Sequence, residues 1–179
     1  YLAYLLAMNE KLNLTAVREP VQAWQRHIFD ALTLLPWLDE VSPNARVVDV
    51  GSGGGVPGIP LAIARPAMHL SLIESTHKKA AFLLDVADAL KLQNLSVHAE
   101  RAEDLAKPLR GAFDVATARA VARLSALIPW TAPFVRPGGR LLLLAERRRR
   151  RLRRAGSRDQ AEWIEDLGDQ WFAGRVRGL

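Results

Sequence analysis

The chain of 179 residues contains no cysteine, which excludes disulfide staples and thiolate metal sites and fits a reducing compartment. Its four histidines, His27, His69, His77 and His98, lack metal-ligand spacing, so no metal is expected. No apolar stretch approaches the roughly 20 residues of a membrane span, and no signal peptide opens the sequence. The expectation is a cytoplasmic protein with no membrane partner. One-sided charge is also missing from most of the chain. The net charge is +6, but residues 1–146 hold 15 Lys/Arg against 14 Asp/Glu, while residues 147–179 hold 10 against 5. Basicity belongs to the tail, and RNA binding has to be argued from particular residues. The length suits a single domain with an ordinary core.

Apolar periodicity divides the chain. Leu2, Leu5, Leu6 and Leu12 have helical spacing, and the pattern starts without a cap, as though residues preceded Tyr1. A second helical stretch runs from about Val21 to Leu35, with Pro36 and Pro43 at its exit. From Arg46 the period changes: "RVVDV", "LSLIE", "LSVHA", "FDVATA" and "RLLLLA" are short apolar runs separated by helical patterns. Such runs read as buried parallel strands. The expected architecture is α/β: an N-terminal helical extension over residues 1–44, a doubly wound, mostly parallel sheet over 45–146, and an atypical arginine-rich tail over 147–179. In such sheets the ligand sits beyond the carboxyl ends of the strands, where the strand order reverses.

"DVGSGGGVPGIP" (49–60) follows the first strand. No lysine lies between Arg46 and Lys78, so the loop is not a triphosphate-binding loop, which requires G-x-x-x-x-G-K-[ST]. A dinucleotide pattern G-x-G-x-x-G matches only from Gly53 through Gly55 and Gly58. The better description is acidic-x-G-x-G-x-G, carried by Asp49, Gly51, Gly53 and Gly55. Glycine lets the main chain turn with positive φ and lets a ligand approach without meeting a Cβ. S-adenosylmethionine needs such a cradle, together with an acid at the end of the second strand for the ribose hydroxyls. Glu74 stands there. "RAED" (101–104) follows the third strand, where the adenine edge is read, and "RPGG" precedes the fifth, as in many methyltransferases. Arg119, beside an apolar strand and facing the expected crevice, needs a partner for its guanidinium.

"NLTAVREP", "RHIFDALTLL", "DVGSGGGVPGIPLAIARP", "KKAAFL", "RAEDL" and "TARAVARL" together resemble the glucose-inhibited division protein B family, the ribosomal RNA small subunit methyltransferase G enzymes. The likeness runs from about residue 1 to Leu144. It implies a Rossmann-like S-adenosylmethionine-dependent methyltransferase fold and methyl transfer to guanine N7 in small-subunit (16S) ribosomal RNA. Carried over by position, the cofactor would contact Gly51, Gly53, Gly55 and Val56 in the loop, Glu74, then Ala102 and Glu103, and Arg119. Asn13, Arg26, His27 and Asp30 match the N-terminal pattern and are expected to line or support the substrate site, with Arg123 and Lys78 touching RNA. Guanine N7 already presents its lone pair, so no catalytic acid or base is named. The expected partner is small-subunit ribosomal RNA or a partially assembled subunit, met by a monomer. Two rivals remain, a methyltransferase with another substrate and a non-enzymatic RNA-binding protein.

The tail departs from the family pattern, which follows the fifth strand with a Lys-Gly pair and two more strands. Seven of the eight residues 147–154 are arginine. They read either as a basic arm for phosphates or as the product of a frame slip near residue 146. Glu146-Arg147-Arg148 written GAA-AGG-CGN would become AAA-GGC, Lys-Gly, one base on. No later segment reads as two strands. "AEWIEDLGDQWF" is expected to form an amphipathic helix with Trp163, Ile164, Leu167 and Trp171 on one side, leaving a sheet edge open.

Overall fold

Strands and helices alternate from Arg46 because each short apolar run needs both its faces covered. The computed structural model describes residues 1–119, 124–144, 161–166 and 171–176. Helix α1 (Leu2–Leu12) stops where Asn13 takes the left-handed conformation, φ 50° and ψ 53°, which asparagine tolerates better than most residues. Helix α2 (Pro20–Ala23) opens on Pro20, and the Glu19 carboxylate accepts hydrogen bonds from the Val21 and Gln22 amides. The helix then widens into a π-type stretch, Trp24–Phe29, and closes as α3 (Asp30–Leu32). Pro36 does not end this element; it lies in the first turn of a separate helix, α4 (Leu35–Asp39), where its missing amide costs nothing.

The remaining elements are β1 (Arg46–Val50), α5 (Gly58–Ala64), β2 (His69–Ile73), α6 (His77–Ala89), β3 (Leu95–His98), α7 (Ala102–Leu105), β4 (Phe113–Arg119), α8 (Leu124–Thr131), a 3-10 turn (Ala132–Phe134), β5 (Val135–Leu144), β6 (Ala161–Asp166) and β7 (Trp171–Val176). The sheet runs β3-β2-β1-β4-β5-β7-β6. Pairings among β1 to β5 are parallel, and β7 runs antiparallel between β5 and β6. The order reverses at β1, which has β2 on one side and β4 on the other, so the crevice for a ligand lies beyond Val50 and Arg119. "RPGG" is a bulge inside β5 rather than a turn before it: Val135 pairs with Phe113 and Arg140 with Val115. Asp114 holds that bulge, accepting from Arg136 Nε at 2.7 Å and from the Arg46 amide at 2.8 Å.

Two expectations for the tail are corrected. Residues 161–166 form a strand, not an amphipathic helix, and the edge of β5 is not open, because β7 pairs with it from Arg140↔Arg175 to Leu144↔Trp171. Four consecutive leucines, Leu141 to Leu144, make β5 an interior strand that needs a partner on each side. Ala173 and Val176 are buried against the core. The arginine run 147–154 lies outside the described residues.

One sheet face packs Val48, Val50, Ala116 and Leu143 against Leu105, Leu127, Ile128 and Phe134. The other packs Val47, Leu70 and Leu142 against Leu34, Leu38 and Leu61, and continues into Leu5, Ile59, Leu72, Phe82 and Leu83. Helix α1 thus joins the core through a fully buried Leu5, a burial worth about 1.5–3 kcal/mol. Among the described residues no helix is long and apolar enough to cross a membrane.

Candidate functional site

A cleft of about 200 Å³ opens at the carboxyl ends of the strands, where the topology requires it. Val50 and Gly51 form its floor, Ile73 and Ser75 follow β2, Glu100 to Glu103 follow β3, Ala118 and Arg119 end β4, and Leu127, Trp130 and Thr131 close it from α8. Gly51, Ala102, Glu103 and Arg119, read from the sequence as ligand contacts, are therefore brought together. Trp130, about half exposed, is an apolar wall that sequence reasoning missed.

The glycines of the loop do different work. Gly51 has φ +74°, and a side chain there would meet nothing within 4 Å, so the open space belongs to whatever occupies the cleft. Gly55 also has positive φ (+92°), but a side chain there would collide with Ile59 and reach 3.0 Å from Leu83. Gly55 therefore serves packing of the loop on α5 and α6. Val56 is buried behind the loop and, like Gly53 and Gly55, is not among the cleft-lining residues. Gly58 lets α5 descend onto the sheet, since any side chain would strike Leu72 and come within 3.1 Å of the Asp49 carboxylate. Pro60 and its buried neighbours Ile59 and Leu61 then fix α5 against the core, which is what the second half of "VPGIP" accomplishes.

Glu74 ends β2 as expected, with both carboxylate oxygens engaged. Oε2 accepts from the Gly53 amide at 2.9 Å and Oε1 from the Thr76 amide at 2.8 Å. The acid therefore ties the loop to β2; it is buried and, like Gly53, Gly55 and Val56, is not among the cleft-lining residues, although its neighbours Ile73 and Ser75 are. Asp49 is more confined. Thr117 Oγ1 donates to its Oδ1 at 2.8 Å, whereas Oδ2 is buried without a hydrogen-bond partner among the described residues. Burial pushes its carboxyl pKa from 3.8 up to about 6, against the Thr117 hydroxyl, which favours the anion. A buried, incompletely satisfied carboxylate beneath the glycine loop makes Asp49 a candidate functional position.

The N-terminal extension reaches this site by two routes. The Tyr1 hydroxyl donates to Gly54 O at 2.7 Å, and a side chain on Gly54 would come within 2.8 Å of Leu5 and 3.4 Å of Leu14, so α1 lies directly on the loop. Arg119 Nη1 donates to His27 Nδ1 at 3.0 Å, and His27 Nε2 lies 2.7 Å from Thr15 Oγ1. Thr15 is itself held by Asn9, which exchanges two hydrogen bonds with its backbone at 2.8 and 2.9 Å. Asp30 faces the same guanidinium, and burial raises its pKa against the Arg119 charge.

The sequence profile of the family described as GidB, rRNA small subunit methyltransferase G, matches residues 1–165. The curated protein named ribosomal RNA small subunit methyltransferase G from Sorangium cellulosum is 60% identical over 178 residues, 99% of this chain and 69% of that protein. The chain belongs to this family. The methyltransferase G of Oenococcus oeni is 41% identical over 146 residues, covering 80% of this chain and 60% of that protein. Against several curated relatives the chain spans less than two thirds of their length. Among solved structures, TrmN from Thermus thermophilus superposes with TM-score 0.63 at 22% identity, covering 82% of this chain and 48% of that one. That likeness supports the Rossmann-like methyltransferase fold.

Within this chain the other expected substrate residues separate. Asn13 caps α1 and is exposed, so its left-handed backbone explains it without a ligand. Arg26 and Lys78 are exposed, Arg26 on the π-type stretch and Lys78 in the first turn of α6. Arg123 lies outside the described residues. His27 is 4% exposed and interior, which its place beside Arg26 in sequence did not reveal. Asn9, Thr15 and Tyr1 were missed altogether. Thr15 stands in "NLT", one of the strings shared with the family, and that was the available signal.

Proposed function

We propose that the chain is an S-adenosylmethionine-dependent methyltransferase that acts on guanine N7 in small-subunit ribosomal RNA, as a cytoplasmic monomer. The observation that carries the reading is the cleft at the strand-order reversal, with side-chain-free space over Gly51 and a carboxylate at the end of β2. The residues present fit the cofactor. Gly51 leaves room for it to approach the backbone, Glu74, between the lining residues Ile73 and Ser75, is the acceptor proposed for the ribose hydroxyls, and Ala102 with Glu103 borders the adenine side. Arg119 uses one nitrogen on His27, and no other hydrogen bond is found for its guanidinium among the described residues. Its free donors suit the carboxylate of the amino acid end.

When bound, the cofactor supplies an electrophilic methyl group on a sulfonium. Guanine N7 carries its lone pair in the ring plane, so transfer needs no proton removed beforehand. The protein's task is to hold the two partners about 3 Å apart and in line. The Asp49 anion beneath the loop favours positive charge above it, and Trp130 offers a face on which an unstacked base can rest. A base inside folded RNA must leave its stack to reach such a cleft, which supports a partially assembled subunit as substrate.

The test is calorimetric titration with S-adenosylmethionine, followed by transfer of labelled methyl to small subunits lacking the modification and mapping of N7-methylguanine by strand scission. Label found on another substrate class, with cofactor binding intact, would replace this reading by the first rival. RNA binding without cofactor binding would favour the second.

A further inference from the structure

Arg119 is a partly buried cation at the cleft with one described hydrogen-bonding neighbour. Its pKa is lowered, chiefly by burial, and the Asp30, Tyr1 and Asp49 side chains influence it through space. Its one described hydrogen bond goes to a ring nitrogen of His27. A guanidinium has donors only, so Nδ1 of His27 has to be the accepting, unprotonated nitrogen. The ring proton then sits on Nε2 and is donated to Thr15 Oγ1 at 2.7 Å. Thr15 Oγ1 also accepts from the Val17 amide at 3.1 Å, and the Asn9 side chain fixes the Thr15 backbone. The chain Asn9–Thr15–His27–Arg119 thus runs from α1 to the end of β4, and both ring nitrogens of His27 are engaged in it.

We propose that His27 is a positioning residue: kept neutral with its proton on Nε2, it accepts Arg119 through Nδ1 and thereby aims the guanidinium into the cleft. The consequence for ligand affinity rests on the cofactor reading above; the tautomer does not. The Thr15 hydroxyl alone would accept either tautomer, since it can donate or accept; Arg119, which can only donate, selects the Nε2-protonated one. Here the identity of the acceptor atom matters, because a proton on Nδ1 removes the only described partner of Arg119 and sets a second cation against it.

Acidification acts in that direction. Burial, and then the Arg119 charge, hold the His27 pKa below its ordinary 6.5, with Arg26 adding a further repulsion. The groups facing the pair are Arg26 and Asp30 from the same helical stretch, Asn9 from α1 and Tyr1 at its N-cap, Thr15 from the segment after α1, and Asp49 from β1. Above the His27 pKa the ring is neutral and Arg119 is held; as pH falls through it, the hold is lost. Asp49, pushed up to about 6, titrates nearby, so a variant is needed to separate them.

Two substitutions divide the ring's functions. His27→Asn places an acceptor where Nδ1 lies and does not titrate, whereas His27→Gln reaches Thr15 but offers nothing at the Nδ1 position. Nitrogen-resolved NMR of the ligand-free protein, with the His27 signal assigned by its loss in H27N, is expected to show the Nε2-protonated tautomer at neutral pH. Calorimetry with S-adenosylhomocysteine is expected to give binding about ten-fold weaker in H27Q and within about three-fold of the parent in H27N, the difference corresponding to one charge-assisted hydrogen bond. The parent's loss of affinity on acidification should shrink in H27N, leaving the part due to Asp49. An Nδ1-protonated or doubly protonated ring at neutral pH overturns the proposal, as does equal weakening in the two variants. Failure of the parent to bind S-adenosylhomocysteine would instead count against the cofactor reading, with the NMR result still deciding the tautomer.

Discussion

Replacing Asp49 by asparagine should make the protein more stable at neutral pH, and the structure gives the size of the effect. The carboxyl pKa stands at about 6 in the folded protein against 3.8 ordinarily. At 1.36 kcal/mol per tenfold change in proton affinity, keeping the carboxylate charged costs the fold about 3 kcal/mol above pH 6. The sign follows from proton uptake: between about pH 4 and 6 the folded state binds more protons, so this cost is relieved as pH falls and is fully present above 6. Asparagine removes the charge and retains an acceptor for Thr117 Oγ1, whose hydrogen bond to Oδ1 is 2.8 Å. Its amide nitrogen takes the place of Oδ2, which has no hydrogen-bond partner of good geometry among the described residues and lies beside the Gly58 amide, another donor, so the exchange returns about 1 kcal/mol. The net expectation is D49N more stable than the parent by about 2 kcal/mol at pH 7–8 and slightly less stable near pH 4. Urea unfolding of both proteins across pH 4–8 measures this. Equal stabilities at pH 8, or a difference that does not change with pH, would refute the reasoning. The same variant should bind S-adenosylmethionine more weakly, because the anion beneath the loop is gone.

Other substitutions test other parts of the site. Glu74→Gln can satisfy the Gly53 amide or the Thr76 amide but not both, since each needs an acceptor; a loss of about 2 kcal/mol in urea unfolding is expected, with weaker cofactor binding by calorimetry. Gly55→Ala should destabilise by about 2 kcal/mol or more from positive φ and collision with Ile59, whereas Gly51→Ala should fold with a smaller loss and show its main effect in calorimetry. Ala173→Glu places an unpaired carboxylate at a buried position of β7 and should cost about 3 kcal/mol or more in thermal or urea unfolding. A neutral result there would mean that the tail does not pair with β5, and would return weight to a slipped reading frame.

Much of the site was legible in the sequence because its signals are local. A glycine-rich turn after an apolar strand, an acid at the next strand end, and "RAED" after the third are each set by a few adjacent residues, and the parallel sheet then brings Gly51, Ala102, Glu103 and Arg119 to one edge. The five apolar runs also announced β1 to β5, since strands buried on both faces leave little room for polar residues. Legibility failed where a residue's meaning depends on a distant partner. "DVGSGGG" does not say that Gly55 is hemmed in by Ile59 and Leu83 while Gly51 borders the open space of the cleft. Nor does "AEWIEDLGDQWF" reveal strands, because its apolar residues also fit one face of a helix and the β5 edge that β7 pairs with is distant in sequence.

The sequence alone thus determined the class of fold, the loop chemistry and the family, all encoded in short strings whose physical demands are local. Tertiary structure decided what those strings cannot carry: that β7 completes the sheet, that α1 lies on the glycine loop through Tyr1 and Leu5, and that His27 meets Arg119 across 92 positions. Those contacts exist only when the chain has closed on itself. The proton on His27 and the charge on Asp49 are set by burial and by neighbours that the fold delivers.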